Sequence, residues 1–450
     1  MADIFAFDDI QSEIDAVDTT SQSPSGLSRA LRREAEAEEE AHEINDTVSE
    51  LPRPIPTANN LNVTNDLEPR YGISPSQSRL GSSYEVGIDE HYESSFAPPD
   101  VGAATTTRKM SPSDFEHLKV LGEGAYGKVL LVKHKSSGRL FAQKQLKKAS
   151  MIVEKKKIES AKNERSILES VRHPYIVRLF YALQDYQKLY LILEYAQGGE
   201  LFHHLAMERM LSEDVASFYI AEMALALHHL HVNVGVVYRD LKPENCLLDA
   251  EGHLVLTDFG LSKVATDDGC KTFLGTPEYM APEVLEGKEY DYAVDWWSLG
   301  AVCYDLLTGN PPFCGNNYQK IIEKIKKTKL NLPYYLSADA KDFLTRLLRK
   351  EPKKRLVGHK TFDAFKKHRF FRKIDWKKLE RRDPSIVPPI VPVITDPALA
   401  ENFSDSFTSR PVTPEDGESI PIPKSDENNH IFTGFSFTAS QSYIERAIPI

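Results

Sequence analysis

Residues 238–245 read Tyr238-Arg239-Asp240-Leu241-Lys242-Pro243-Glu244-Asn245, and the reading of the whole chain starts from them. An apolar helical run, Ala221 to His231, and a short Val-rich segment precede the stretch. Cys246-Leu247-Leu248, a turn at Glu251-Gly252 and Val255-Leu256-Thr257-Asp258-Phe259-Gly260 follow it. An Asp, a Lys two residues on and an Asn five residues on thus lie on a loop between buried apolar elements, and Asp258 ends a second apolar run. These groups suit the movement of a phosphoryl group. One carboxylate takes the proton of an attacking hydroxyl, an amide and a second carboxylate hold divalent metal, and an ammonium balances phosphate charge.

Upstream, Phe115 to Val120 alternates apolar and polar residues, as a strand does. Then comes Leu121-Gly122-Glu123-Gly124-Ala125-Tyr126-Gly127-Lys128-Val129. Residues 129–133 read as a second strand, Ser136-Ser137-Gly138 as a turn, and Leu140 to Leu146, with Ala142 and Lys144, as a third. Glycines let a backbone close over phosphates and present its N–H groups. A dinucleotide fold shares the glycine spacing, but there a helix follows directly. Here a hairpin follows, and Lys144 comes 17 residues after Gly127. Residues 154–170 have helical apolar spacing and carry Glu164, placed to pair with Lys144. Ile176 to Phe180 and Leu189 to Glu194 read as the last strands of a small sheet. Backbone groups at Glu194 and Ala196 suit an adenine edge, with Leu193 behind. After Glu200 the pattern turns helical at 201–206, 213–232, 291–307, 317–327 and 338–348. A sheet-rich lobe precedes a helix-rich lobe, with a hinge near residue 195.

Charge is distributed unevenly. The first 100 of 450 residues carry 21 acidic and 6 basic side chains, against 45 and 49 in the remainder. The net charge of -11 therefore reflects an acidic leading segment, and the remainder is too weakly basic to suggest nucleic-acid binding. Four cysteines, Cys246, Cys270, Cys303 and Cys314, show no C-x-x-C spacing, which fits a reducing compartment. The N-terminus lacks a positive region before an apolar core, and no run approaches the roughly 18 apolar residues of a membrane span. The sequons at Asn45, Asn62 and Asn402 read as chance. Residues 1–112 are rich in Ser, Thr, Asn, Pro and acids and read as disordered. Within them, Ser28 to Glu43 is either a solvated acidic stretch or a transient helix, and Phe5 to Ile10 either a disordered end or a docking motif.

These motifs resemble the protein-kinase signature, with Tyr238 standing where His is usual. The resemblance covers residues 115–371. It narrows with Thr272-Phe273-Leu274-Gly275-Thr276-Pro277-Glu278-Tyr279-Met280-Ala281-Pro282-Glu283, Gly198 to Phe202, Asp295 to Gly300 and Pro311-Pro312-Phe313, which are similar to AGC-group serine/threonine kinases. It implies an α+β bilobal fold: a small antiparallel-sheet lobe with one helix, a large helical lobe, and a wrapping tail from 372 to 450. Asp240 and Lys242 are then catalytic. Leu121, Gly122, Gly124, Gly127, Val129, Ala142, Lys144, Glu164, Glu194 and Ala196 bind ATP, and Asn245 and Asp258 bind magnesium. Glu283 should pair with Arg355, and Asp295 should brace the catalytic loop. Glu200, Glu244 and Asp305 align with the pocket that reads Arg upstream of the acceptor hydroxyl.

In the tail, Phe403 and Phe407 flank Ser404-Asp405-Ser406, Thr413 precedes Pro414, and Phe432-Thr433-Gly434-Phe435-Ser436-Phe437 sets three aromatics around one Ser. Together with the acidic N-terminal motif, these look most like the ribosomal S-six kinases. By that resemblance Thr272, Thr413 and Ser436 are regulatory phosphorylation sites. Arg239 and Lys263 are candidates to receive the phosphate on Thr272. A phosphoinositide-dependent kinase and the target-of-rapamycin complex are the upstream enzymes. The resemblance further implies basic protein substrates, a ribosomal protein among the candidates, no nucleic-acid or membrane partner, a monomer, and a cytoplasmic and also nuclear location. The rivals are an Akt- or Ypk-type AGC kinase and a catalytically inactive scaffold.

Overall fold

The computed structural model describes residues 110–124, 127–264, 276–412, 431–440 and 443–444. The expected disorder of the leading segment, the Ser28–Glu43 helix, the Phe5–Ile10 motif and the sites at Thr272 and Thr413 lie outside them.

The small lobe is an antiparallel sheet. Strands β1 (Phe115–Gly124), β2 (Gly127–His134) and β3 (Leu140–Lys147) form consecutive hairpins, followed by β4 (Leu179–Gln184) and β5 (Lys188–Leu193). Across the sheet the order is β1-β2-β3-β5-β4, closed at its far edge by the tail strand β8 (Phe437–Thr438). Val129 lies opposite Lys144, and Ala142 opposite Leu193. Paired and alternate positions share a sheet face, so Val129, Ala142 and Lys144 face the same way.

Two departures from the sequence reading occur here. The lobe holds two helices, not one: α1 (Lys148–Val153) precedes α2 (Lys155–Ser170). The strand expected at Ile176 to Phe180 begins instead at Leu179. Residues 175–177 are drawn away to the large lobe, where Leu256 N–H donates to the Tyr175 carbonyl at 3.0 Å and Val177 N–H to the Leu256 carbonyl at 2.9 Å.

The large lobe is built on α3 (Leu201–Glu208), α4 (Glu213–His229), α5 (Ala293–Thr308), α6 (Tyr318–Lys327), α7 (Ala338–Leu347) and α8 (Gly358–Lys366), with a short ribbon of β6 (Cys246–Leu248) and β7 (Leu254–Leu256). Ser212 caps α4 by accepting from Val215 N–H. The last turn of this helical stretch widens to a π-helix at Leu230–Val234 and ends on Gly235, so it covers the expected residues 213–232. Every residue of α5 from Ala293 to Leu307 is buried, as for a helix apolar on all sides. Arg355 locks this lobe. Its guanidinium donates to both carboxylate oxygens of Glu283, at 2.7 and 3.0 Å, and to the Ala293 carbonyl.

The described residues of the tail pack on both lobes. After α9 (Trp376–Arg381) it runs extended, with Pro388 and Pro392 buried. Phe403 stacks on Tyr195 at 5.8 Å between ring centres, and Tyr195 donates to the Pro397 carbonyl at 3.2 Å. Gly199, at φ +67°, lets this strap lie close, because a Cβ there would sit 1.9 Å from the Asn402 carbonyl oxygen. The short helix α10 (Asp405–Thr408) lies against β1, and Arg410 pairs with Glu123 of the glycine loop at 3.0 Å.

Candidate active site

The glycine loop joins β1 to β2. Gly127 has φ +142°, and a Cβ on it would lie 1.9 Å from the Gln145 carbonyl oxygen; only glycine fits both the angle and the approach. Added Cβ atoms on Gly122 and Gly124 would meet nothing within 4 Å, so the loop overhangs open space. Leu121, Ala142 and Leu193 are buried alongside.

Beneath the loop three side chains meet. Lys144 Nζ lies 2.8 Å from Glu164 Oε1 and 2.9 Å from Asp258 Oδ1. Strand β3 supplies the lysine, α2 the glutamate and the segment after β7 the aspartate. Burial alone would pull the ammonium's pKa down, but the two carboxylates outweigh it and hold Lys144 above the usual lysine range. Burial likewise works against the Asp258 anion, and Lys144 overcomes it, so Asp258 stays below the ordinary carboxylate value. Glu164 is displaced upward, because its burial is only partly offset by Lys144. The ammonium is therefore shared between both acids rather than fully spent on one.

The second half of the site is the 238–245 loop. Asn245 Nδ2 donates to the Asp240 carbonyl and to its Oδ2, both at 2.8 Å. Lys242 Nζ stands 3.8 Å from Asp240 Oδ2, and its charge also acts on Asp258. Thr257 N–H donates to the Asn245 carbonyl at 3.1 Å, which ties the loop to the Asp258 segment. Arg239 and Asp258 both have left-handed backbones, with φ of 68° and 52°. Non-glycine residues hold such angles only where surroundings impose them. Here the buried Asp295 does so for Arg239: its carboxylate accepts the N–H groups of Tyr238 and Arg239 at 2.8 Å each, and His231 Nε2 lies 2.7 Å away. Tyr238 is fully buried, its ring packs edge-on to Phe259 at 5.1 Å, and its hydroxyl donates to the Thr257 carbonyl. The tyrosine thus braces the loop from behind.

At the hinge, Glu194 N–H donates to the Arg178 carbonyl at 2.9 Å and the Glu194 carboxylate lies 3.4 Å from the Arg178 guanidinium. The Ala196 carbonyl accepts from Gly199 N–H at 3.2 Å. Of the three acids expected to read substrate, Glu200 and Glu244 are half-buried. Asp305 is not open in this way. It sits on the wholly buried α5, is 6 % exposed, and its Oδ2 accepts the Tyr279 hydroxyl at 2.7 Å. That bond ties α5 to the turn at Pro277–Tyr279. Arg239, expected to receive a phosphate, donates to the Leu261 carbonyl at 2.5 Å and to the Tyr290 hydroxyl at 3.2 Å.

Ser436 lies on the small lobe, far along the chain from this site. It is 2 % exposed, and its hydroxyl has no hydrogen-bond partner among the described residues. Phe432, Phe435 and Phe437 around it are buried, with Lys148 over the Phe432 ring and Arg165 over the Phe437 ring. Sequence reasoning missed the Phe403–Tyr195 stack and the Arg410–Glu123 pair.

The chain matches the protein kinase domain family over residues 115–371. It is 43% identical to the serine/threonine-protein kinase YPK3 of Saccharomyces cerevisiae, over 74% of this chain and 76% of that protein. It is 45% identical to ribosomal protein S6 kinase alpha-2 of Mus musculus, over 82% of this chain and 49% of that protein, so it spans about half the length of that relative. It is 40% identical to the human RAC-beta serine/threonine-protein kinase, over 84% of this chain and 78% of that protein. This family uses ATP and magnesium for phosphoryl transfer. The donor set fits: the glycine loop overhangs open space, Lys144 carries a shareable charge, and Asn245 and Asp258 offer hard oxygen ligands. Among the described residues no cluster of three or more His, Cys, Asp or Glu could hold a metal, which is expected of magnesium that relies on one or two carboxylates, waters and phosphates. From the family match, the extent of these likenesses and the convergent site, the chain belongs to the protein kinase family, in its AGC group of serine/threonine kinases.

Proposed function

We propose that this kinase phosphorylates Ser and Thr in proteins carrying Arg upstream of the acceptor, in nutrient-responsive growth signalling. The supporting observation is the convergence of Lys144, Glu164 and Asp258 beside an Asp240 held by Asn245 and flanked by Lys242. Asp240 orients the substrate hydroxyl and takes its proton. Lys242 balances charge on the transferring group, Lys144 and the glycine-loop amides hold the phosphates, and Asn245 and Asp258 hold magnesium. Magnesium held there would supply neutralisation of phosphate charge. Glu194 and Ala196 offer backbone groups to adenine.

Glu200, Glu244 and Asp305 are the acids proposed to accept charge-assisted bonds from substrate guanidinium groups. Arg is expected at the third position upstream and also the fifth. Thr272, Thr413 and Ser436 are the proposed regulatory phosphorylation sites, with a phosphoinositide-dependent kinase and the target-of-rapamycin complex upstream. The name of the S6 kinase relative makes a ribosomal protein a candidate substrate. Likeness to YPK3 and RAC-beta favours a second reading, an Akt- or Ypk-type kinase. Rapamycin sensitivity of Ser436 phosphorylation separates the two.

The test is transfer of labelled phosphate from ATP to Arg-containing and Ala-substituted peptides by purified protein, with Asp240→Asn as control. Preference for the Arg peptides is expected. Equal turnover of both removes the specificity, and no transfer by a phosphorylated preparation returns the chain to the inactive-scaffold reading. Thr272→Ala and Ser436→Ala should each lower activity about tenfold or more; unchanged activity in either removes that site.

A further inference from the structure

Helix α2 carries Glu164 yet begins poorly secured. Its N-cap, Glu154, makes no side-chain capping bond, and the first turn is Lys155-Lys156-Lys157 with no acid. Three cations at the positive end of a helix oppose its dipole, and uncapped N–H groups add nothing to hold it. Something else must keep this end of the helix against the site.

Ser160 is placed to do so. It lies one turn before Glu164 on the same helix face, is half-buried, and its hydroxyl donates to the Gly260 carbonyl. Gly260 N–H in turn donates to Asp258 Oδ1 at 3.1 Å. Asp258 pairs with Lys144, and Lys144 with Glu164. The connections close a ring: Ser160, helix α2, Glu164, Lys144, Asp258, Gly260 and back to Ser160. Two of its four side-chain links involve Lys144, the group that phosphates would compete for. Of the other two, only the Ser160–Gly260 bond involves neither Lys144 nor Asp258.

We propose that Ser160 is a positioning residue that keeps the Asp258–Gly260 segment in register with Glu164 when nucleotide and magnesium draw Lys144 and Asp258 apart. The proposal rests on the kinase reading of the site. An aliphatic side chain at 160 leaves helix and core intact but cuts the direct tether. Threonine, with the same hydroxyl on a β-branched side chain, preserves it.

The test compares Ser160→Ala and Ser160→Thr in the full chain, with two readouts that do not depend on turnover. The first is hydrogen exchange of the Asp258–Gly260 amides and the first turns of α2 without nucleotide. The second is the affinity for ADP with magnesium, measured by calorimetry. In the Ala variant, exchange at these amides and the dissociation constant should each rise about threefold to tenfold, the worth of one hydrogen bond. KM for ATP should rise more than kcat falls, and Thr should restore wild-type behaviour. Unchanged exchange and affinity in the Ala variant would overturn the tether, as would equal impairment of Ala and Thr, which would indicate packing alone. Absence of activity in the wild-type protein would instead remove the kinase reading, while the exchange comparison would still decide the tether.

Discussion

Asp295 accepts the backbone N–H of Arg239 at 2.8 Å while Arg239 holds φ at 68°. A buried carboxylate in the first turn of α5 thereby fixes a strained angle one residue before Asp240. Asp295→Ala removes the acceptor of two buried N–H groups and strips His231 of its partner. Stability should fall by about 3–5 kcal/mol, as on breaking a buried pair, and kcat by about a hundredfold or more as the loop relaxes. Thermal unfolding and steady-state kinetics measure the two effects.

Arg355 and Glu283 form a pair whose side chains are 0% and 6% exposed. Arg355→Ala leaves the carboxylate buried and uncompensated, at a cost of about 3–5 kcal/mol. Replacing both partners by Met and Leu should cost much less, since no lone charge remains. Chemical denaturation of the single and double variants checks the difference.

Asp240→Asn keeps the shape of the loop and removes the base. The rate constant kcat should drop about 10²- to 10⁴-fold, with KM for ATP within about twofold, because the phosphate-facing groups are elsewhere. A parallel loss of nucleotide affinity would mean that Asp240 instead organises the nucleotide site.

Phe435 is 2 % exposed against the small lobe, and the strand that follows it pairs with β4. Phe435→Ala should weaken docking by about 3–5 kcal/mol. Because the tail is peripheral, it should detach without unfolding the lobes. Faster hydrogen exchange at Phe437 and Thr438, with the melting of the core nearly unchanged, is the expected result. Ser436 would become exposed in the same variant, so its phosphorylation by an added upstream kinase should accelerate.

Acid should destabilise the fold through His173. Burial first, then the neighbouring His229 and His228, lower its pKa from 6.5 to about 3. Its Nδ1 accepts from Tyr175 N–H at 3.2 Å and so must stay unprotonated. Between pH 6.5 and about 3 the unfolded chain binds a proton that the folded chain refuses, so stability falls as pH drops through that window and is unaffected above it. His173→Gln should flatten the acid limb of a stability–pH curve.

The chain's own order of residues sufficed for the catalytic loop, the glycine loop, the lysine on the third strand and the division into two lobes. Those features are short-range: alternation of period two, helical spacing, and chemical groups at fixed offsets within one loop. The placing of the catalytic chemistry in one cleft then followed from the resemblance these motifs carry. Other matters depend on residues far apart in the chain, and only tertiary packing decided them. Ile176 left the expected strand because Leu256, 80 residues on, offered its backbone. Asp305 meets the Tyr279 hydroxyl, 26 residues before it, because α5 packs beside that turn. The tail's aromatics found their groove, and Ser160 its carbonyl, through contacts spanning 100 residues or more. No local pattern encodes such distances. They arise when separately legible elements compete for the same apolar surface and the same unpaired backbone groups.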